Sequence, residues 1–322
     1  MGVDYFTSGE PIPMQEIVDK RLSNAGVELF VCRLDLYDST MSGNKFFKLK
    51  YNIEEAKKRE YKQLLSFGGA YSNHIHAMAI AGNRSGIATV GVIRGAEDRP
   101  LSETLTDAVN EGMTLHFVSR EDYRLRSNIS YQDRWLAEYP DSYIIPEGGG
   151  NVLGMKGCME IIPLIQKSMK KDFDVVALPC GTGSTLAGII ASMPELKEVL
   201  GIAVLKGAQY LDVNVKGYLQ HIDELTRDEG QKNICSNWSI NHNHHCGGYA
   251  KVTPELAHFI IDFQRQHDVP LEPVYSGKLF LALFKLIASG EISGKRIVAI
   301  HTGGLQGLRG MKKQIARKLA SI

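Results

Sequence analysis

Short hydrophobic segments alternate with amphipathic segments along most of the chain. Seven runs have the length and β-branched composition of buried strands: Gln63–Phe67, Ile87–Ile93, Thr114–Val118, Tyr143–Pro146, Val175–Leu178, Val199–Val204 and Arg296–Ile300. Five other segments repeat apolar residues at helical spacing: Ile53–Arg59, Leu101–Glu111, Thr185–Ser192, Pro254–Gln266 and Lys278–Ser289. Strands that alternate with helices predict an α/β fold with open parallel sheets covered by helices on both faces.

Glycine is concentrated where the predicted strands end. Four such loops are rich in glycine: Phe67–Ser72, Pro146–Asn151, Pro179–Ser184 and His301–Gly307. Open α/β sheets bind ligands at the carboxyl ends of their strands. We therefore expect the four loops to surround one small molecule.

Composition narrows the class of partner. The chain has 322 residues, 43% of them apolar, which is enough for two domains. Its formal net charge is +1, with no basic or acidic block, so neither nucleic acid nor a membrane surface is expected as a partner. No apolar run approaches the roughly 20 residues of a membrane span, and the N-terminus lacks a secretion signal. These features predict a cytoplasmic protein with a small-molecule substrate.

The loop Gly181–Thr185 follows a hydrophobic strand and precedes an amphipathic helix. Gly181 and Gly183 permit close backbone approach, while Thr182, Ser184, Thr185 and the N–H groups of the helix start supply donors, so the loop is typical of a phosphate site. A dinucleotide-binding loop is the alternative, but Leu186 occupies the place of the third glycine. An ordinary glycine-rich turn is the structural alternative.

Lys45 follows a Gly43-Asn44 turn, just before a helix predicted to begin near Phe46. A lysine amine is nucleophilic only when it is neutral, and nearby cations favour the neutral form. Lys48 and Lys50 could supply that positive charge. Taken alone, Lys45 is more typical of a solvated surface lysine than of a catalytic one.

The tripeptide Ser72-Asn73-His74 stands at another predicted helix start. Backbone N–H groups and the helix dipole favour a carboxylate there, as in an amino-acid substrate. A simple Ser/Asn helix cap is the alternative interpretation.

Together these motifs resemble the 1-aminocyclopropane-1-carboxylate deaminase/D-cysteine desulfhydrase family. The resemblance is ordered and covers nearly the whole chain: Gly43-Asn44-Lys45 with Lys48-Leu49, Gly69 with Ser72-Asn73-His74, Gly181 to Thr185, Pro273-Val274-Tyr275 with Gly277-Lys278, and His301-Thr302-Gly303-Gly304. It implies a fold-type-II, tryptophan synthase β-like enzyme that uses pyridoxal 5′-phosphate (PLP). It also implies a homodimer, with a large domain (1–46 plus 157–322) and a smaller inserted domain (47–156).

The resemblance assigns expected roles to individual residues. Lys45 would be the Schiff-base lysine, and Gly181, Thr182, Gly183, Ser184 and Thr185 would hold the cofactor phosphate. Asn73 would contact the PLP 3′-oxygen, and Thr302 the pyridine nitrogen. Substrate would be bound by Ser72, Asn73, His74 and Tyr275, with Lys45, Ser72 and Tyr275 as the catalytic residues. Ser72 is the family's proposed nucleophile for cyclopropane opening.

Positions 276 and 302 favour β-elimination over cyclopropane ring opening. Ring-opening relatives carry Glu after the Pro-Val-Tyr tyrosine and Leu before the last Gly-Gly, whereas this chain has Ser276 and Thr302, which resemble the desulfhydrase side. A neutral Thr302 reduces electron withdrawal by the pyridine ring. We expect β-elimination of D-cysteine-like substrates to pyruvate, ammonia and hydrogen sulfide. Alternatives are ring opening of 1-aminocyclopropane-1-carboxylate to 2-oxobutyrate, a dinucleotide-binding oxidoreductase, and a PLP-binding paralogue without turnover.

Three positions depart from the family pattern. Phe47 stands where arginine is usual, Tyr71 where glutamine is usual and Gly150 where serine is usual. These departures bear on the substrate more than on the cofactor. The segment His242–Cys246 contains metal-ligating residue types, but the spacing is poor for a structural metal site, so we expect no metal there and a polar loop near the substrate or at an interface.

Overall fold

Two separate sheets organise the chain. The computed structural model describes residues 6, 11–41, 43–98, 100–221 and 234–320. The larger sheet has the strand order β1-β2-β10-β7-β8-β9. Its strands are β1 Met14–Ile17, β2 Glu28–Arg33, β7 Val175–Cys180, β8 Glu198–Ala203, β9 Trp238–Asn241 and β10 Arg296–His301. All its pairings are parallel except that of β1 with β2.

The smaller sheet is entirely parallel, in the order β5-β4-β3-β6. Its strands are β3 Gln63–Gly69, β4 Ala88–Arg94, β5 Met113–Val118 and β6 Ser142–Ile145. The α/β class with parallel sheets is therefore confirmed. Every predicted strand is present within two residues of its predicted bounds, and β1, β2 and β9 are additional.

Helices cover the sheets. Those of the first half are α1 Lys20–Asn24, α2 Asn44–Lys58, α3 Asn73–Ser85, α4 Glu103–Asn110, α5 Arg120–Arg124, α6 Ile129–Glu138 and α7 Val152–Cys158. Those of the second half are α8 Ile161–Ser168, α9 Ser184–Ser192, α10 Tyr210–Leu219, α11 Pro254–His267, α12 Ser276–Ala288 and α13 Leu308–Leu319. Short 3₁₀ turns occupy Leu34–Leu36, Glu147–Gly149 and Leu305–Gly307.

Side-chain alternation along the strands assigns each face to a core. In β3, Leu64 points into the large apolar cluster that also contains Val176 and Ile300 of the other sheet. The next residue, Leu65, points to the opposite face, where it packs with Trp135 of α6. Because successive strand residues face opposite sides, one strand serves both the core shared by the two sheets and an outer core.

The predicted domain bounds fall inside helices. The bound at 46/47 lies within α2, and the bound at 156/157 lies within α7. The two helices pack so closely that a Cβ on Gly157 would lie 1.8 Å from the carbonyl oxygen of Phe47. All strands of the smaller sheet come from 63–145. The division into domains stays a prediction.

Candidate active site

Lys45 lies in the first turn of α2. The helix begins at Asn44, two residues before the predicted start at Phe46, because Gly43 adopts the left-handed value φ = 82° and the helix follows it directly. Only glycine fits at this turn, since a Cβ on Gly43 would lie 2.0 Å from the carbonyl oxygen of Thr302. The Thr302 carbonyl accepts the N–H of Asn44 at 3.2 Å. The loop after β10 thus fixes the start of the helix that carries Lys45.

The amine of Lys45 is poised for nucleophilic chemistry. Burial and, after it, the charge of Lys48 lower the pKa of Lys45 to about 7. A substantial fraction of the amine is therefore neutral near neutral pH. The second cation suggested by the sequence, Lys50, does not contribute to this pKa, because its amine is paired with Glu160 at 2.8 Å.

The loop between β7 and α9 forms a cup of hydrogen-bond donors. Gly183 has φ = 90°, and α9 begins at Ser184, so the first N–H groups of the helix have no partner within it. The hydroxyls of Thr182 and Ser184 are 3.3 Å apart. The amide of Asn44 donates to the Thr185 hydroxyl at 2.9 Å, and its oxygen accepts from Lys45 Nζ at 3.1 Å. Asn44 therefore connects Lys45 to the cup.

Lys48 adds a buried positive charge to the cup. Its residue is 3% exposed, and its amine donates to the carbonyl of Gly148 at 3.1 Å and to Thr182 Oγ1 at 3.3 Å. No carboxylate pairs with it among the residues that the structure describes. A buried ammonium without a counter-ion is costly, and an anion in the cup would offset that cost. The donor set therefore fits a phosphate group next to Lys45.

The start of α3 leaves two backbone donors unused. Ser72 caps this helix: its hydroxyl accepts the N–H of Ile75 at 3.3 Å, and its carbonyl accepts the N–H of His76 at 3.1 Å. The N–H groups of Asn73 and His74 make no hydrogen bond within the described part of the chain. They are available to a carboxylate, as the sequence predicts.

The imidazole of His74 is turned away from this helix start. The Ser66 hydroxyl donates to the carbonyl of Ile145 at 2.6 Å, so it must accept from His74 Nε2 at 2.9 Å. Nδ1 is then unprotonated and has no partner among the described residues. Burial, together with the charges of Lys45 and Lys48, holds the pKa of His74 well below its usual value. An unprotonated Nδ1 cannot donate a hydrogen bond to a carboxylate. The predicted contact of His74 with a carboxylate would therefore be made by its backbone N–H.

Asn73 faces the loop after β10. Its side-chain oxygen accepts from Gln306 Nε2 at 2.7 Å. A Cβ on Gly304 would lie 2.3 Å from Asn73 Nδ2, so glycine is needed for this approach. The contact joins the smaller sheet's α3 to the loop of Thr302, and sequence reasoning missed Gln306, the partner of the predicted site residue Asn73.

Tyr275 lies over the phosphate cup. A Cβ on Gly181 would be 3.3 Å from its ring, and the ring of Tyr249 stands 6.3 Å away, edge to face. Burial and the neighbouring Tyr249 raise the pKa of Tyr275 well above its usual value. Its hydroxyl therefore stays protonated over the ordinary pH range.

Ser276 does not face the cup. Its hydroxyl is fully buried against Glu272, at 2.9 Å from the N–H and 3.2 Å from Oε1 of that residue. The Glu272 carboxylate accepts the N–H groups of Val274, Tyr275 and Ser276 at 2.6 to 2.7 Å and so caps α12. Ser276 belongs to this cap, and Thr302, 8% exposed, lies at the loop that meets Asn44.

The three departures from the family pattern have different surroundings. Phe47 is fully buried in the core, stacked on Tyr37 with ring centroids 5.1 Å apart. Tyr71 is half exposed and lies against Gly310 of α13. Gly150 borders Thr182, since a Cβ there would come within 3.4 Å of the threonine Cβ. Gly150 therefore borders the cup, whereas Tyr71 packs on α13 and the Phe47 side chain lies in the core.

The imidazoles of His242–Cys246 bind three different partners. His242 Nε2 is 2.8 Å from Asp212 Oδ2, and His244 Nδ1 is 2.9 Å from Asn241 Oδ1. His245 Nδ1 accepts the N–H of Gly247 at 3.0 Å. The loop continues to Tyr249, which stands beside Tyr275. Hydrogen bonds within the protein thus account for these side chains.

Comparisons with known proteins agree with this geometry. The pyridoxal-phosphate dependent enzyme family matches residues 10–303. The mitochondrial bifunctional D-cysteine desulfhydrase/1-aminocyclopropane-1-carboxylate deaminase of Arabidopsis thaliana is 30% identical over 90% of this chain and 76% of its own length. The D-cysteine desulfhydrase of Serratia proteamaculans is 24% identical over 95% of each chain. The crystal structure of a 1-aminocyclopropane-1-carboxylate deaminase homologue superposes with a TM-score of 0.85, at 24% identity, over 96% of this chain and 94% of the other.

Fold and site together define a fold-type-II enzyme that uses PLP. The chain belongs to the 1-aminocyclopropane-1-carboxylate deaminase/D-cysteine desulfhydrase family of pyridoxal-phosphate dependent enzymes. The predictions of family, fold type and cofactor are confirmed, and the dinucleotide alternative is wrong. Within the described residues, no helix is both long and apolar enough to cross a membrane.

Proposed function

We propose that this enzyme deaminates a small amino acid by β-elimination, with D-cysteine-like compounds as its substrates. The observation that carries the proposal is a lysine amine of pKa about 7 beside an anion cup that contains the buried cation Lys48. PLP bound there would withdraw electrons from the amino acid attached to it. The names of the Arabidopsis and Serratia relatives support D-cysteine as a substrate.

The residues of the site would share the work as follows. Lys45 would hold the cofactor covalently and, once released, move a proton at the substrate α-carbon. The cup Gly181–Thr185 and Lys48 would hold the phosphate, while Asn73 would orient the cofactor ring. The free N–H groups at the start of α3 would hold the substrate carboxylate. Tyr275, protonated throughout, would donate a hydrogen bond to the reacting end of the substrate.

Two features favour elimination over ring opening. Thr302 is neutral, so it would leave the pyridine nitrogen without a carboxylate partner. The Ser276 side chain is committed to the buried Glu272 cap, so this position presents no charge to the cofactor. Both features suit loss of a good β-leaving group, such as the thiol of D-cysteine. The candidate second activity is cyclopropane ring opening, which the bifunctional Arabidopsis relative has in its name.

An assay panel tests the proposal. We expect pyruvate from D-cysteine and from β-chloro-D-alanine, and little 2-oxobutyrate from 1-aminocyclopropane-1-carboxylate. A Lys45→Met variant should release neither product. A higher kcat/KM for the cyclopropane substrate would reverse the preference. Cofactor absorbance that shifts with amino acids while no oxo acid appears would indicate the paralogue without turnover.

The proposal includes the assembly and location that the sequence suggests. The family resemblance supports a homodimer, and the even charge distribution supports the cytoplasm. Sedimentation of the purified enzyme tests the first, since a monomer at working concentration would contradict it. Imaging of the tagged full chain in its own cell tests the second.

A further inference from the structure

Arg94 stands beside the loop that leads into α3. It is the last residue of β4 and the register partner of Gly69, the last residue of β3. Its side chain is exposed, and its Nη2 lies 3.6 Å from the place of a Cβ on Gly69. The Gly69 carbonyl in turn accepts the N–H of Ser72 at 3.0 Å. The guanidinium is therefore one short loop away from the free N–H groups at the helix start.

Among the described residues, no carboxylate forms an ion pair with Arg94. Its guanidinium lies 5.4 Å from the ring centroid of Tyr123, but within the described ranges it makes no hydrogen bond or ion pair. The nearby carboxylate of Glu147 is already engaged, because it accepts from the Tyr123 hydroxyl at 2.6 Å and from Arg126 Nε at 2.5 Å. Five N–H donors of Arg94 are thus left to solvent or to a ligand.

The charge of Arg94 also acts on Tyr249. Burial raises the pKa of Tyr249, the hydrogen bond with Tyr275 opposes that rise, and the positive charge of Arg94 opposes it by a smaller amount. The guanidinium is therefore within electrostatic reach of the side that carries Tyr249 and Tyr275. A molecule bound between Tyr275 and the start of α3 would therefore be near the charge of Arg94.

We propose that Arg94 selects amino acids that carry a second anionic group on the side chain. This inference rests on the proposed function, in which the α-carboxylate occupies the start of α3. The side-chain anion would then meet the guanidinium, whose planar fork matches carboxylate, phosphate and sulfonate oxygens in a bidentate manner. The cation–π contact with Tyr123 would restrict the guanidinium and reduce the entropy lost on binding.

Matched pairs of ligands isolate the charge. Aspartate is compared with asparagine, and O-phosphoserine with serine, each in D and L forms, by calorimetric binding to the PLP-loaded enzyme and by competition against D-cysteine turnover. We expect at least one anionic member to bind about tenfold more tightly than its neutral partner. The aspartate and phosphoserine pairs show which kind of anion fits.

Variants assign the preference to Arg94. Arg94→Met should abolish the tenfold ratio by weakening the anionic ligand alone, and Arg94→Lys should retain part of it. Arg134→Met is the matched control, since Arg134 is another exposed arginine over a tyrosine, 5.6 Å from the Tyr131 ring centroid; it should leave the ratio unchanged.

Two results would overturn the role of Arg94. One is equal binding of all anionic and neutral partners by the wild type. The other is an Arg94→Met variant that weakens both members of a pair alike, which would indicate a structural role. Failure of the proposed function would appear as an absence of oxo-acid release in the assay panel. The two failures are distinguishable because calorimetry measures the charge preference without turnover.

Discussion

The amine of Lys48 acts on the amine of Lys45 from the same side of α2. Residues three positions apart lie on one face of a helix, and the charge of Lys48 is the second cause, after burial, of the low pKa of Lys45. Lys48 also contacts Thr182, which follows it by 134 residues. The Lys48 side chain therefore lowers the pKa of Lys45, the predicted Schiff-base lysine, and also supplies a positive charge to the anion cup.

Replacing Lys48 by methionine should raise the pKa of Lys45. The neutral amine is the reactive form, so the pH midpoint for cofactor attachment should move upward and attachment near neutral pH should slow. Stopped-flow absorbance of apoenzyme mixed with PLP, from about pH 6 to about pH 10, measures the midpoint. Lys48→Arg should keep it low, and Lys50→Met, on the same helix, should not move it. An unshifted midpoint in Lys48→Met contradicts the coupling.

Replacing Gly183 by valine should weaken PLP binding about tenfold or more, because misplacing one charge-assisted donor costs roughly 1.5–3 kcal/mol. Valine at φ = 90° is strained, and a Cβ there would lie 3.1 Å from Val215. Equilibrium titration of apoenzyme with PLP gives the dissociation constant, and circular dichroism verifies the fold. Gly217→Ala, which enters open space on α10, is the control. A folded Gly183→Val variant with wild-type affinity would reject the cup.

Removing the Tyr275 hydroxyl should lower kcat by about a hundredfold, the usual scale for a positioned proton donor. PLP affinity should not change in Tyr275→Phe, since the ring that covers Gly181 remains. Because the pKa of Tyr275 is well above its usual value, the wild-type rate should show no decline from its ionisation below about pH 10. Steady-state kinetics across pH measures both. Tyr249→Phe should lower kcat less than Tyr275→Phe does. A larger loss of kcat in Tyr249→Phe would show that Tyr249 is the proton donor.

Introducing glutamate at Ser276 should destabilise the fold rather than tune the cofactor. The new carboxylate would be buried against Glu272, whose pKa burial already raises, at a cost of at least about 3 kcal/mol in unfolding free energy. When the pKa of a carboxyl group is raised in the folded state, stability is lost as pH increases. The loss of unfolding free energy in Ser276→Glu should therefore grow above about pH 4.5. Urea unfolding at two pH values measures it. Ser276→Ala should cost about 1 kcal/mol, and a glutamate variant as stable as the wild type would show that this side chain can leave the cap.

Much of this protein is determined by local sequence. Apolar runs such as Val175–Leu178 and the glycines that follow them predict the strands, the parallel sheets and the loops that carry the site, because both signals act within a few residues. Lys45 and the Ser72 cap are visible for the same reason. The strand β1 was missed because it has only four residues and pairs antiparallel with β2 at a sheet edge.

Tertiary structure decided which of these local features meet. Lys48 contacts Thr182, Asn44 binds Thr185 and Gln306 binds Asn73 across separations of 134, 141 and 233 residues. It also turned the His74 imidazole to Ser66, enclosed Ser276 in the Glu272 cap, and placed Arg94 beside Gly69 with no ion pair to any residue that the structure describes. Such contacts depend on how the two sheets pack against a shared core. The sequence around one residue of a contact carries no signal that identifies the other residue.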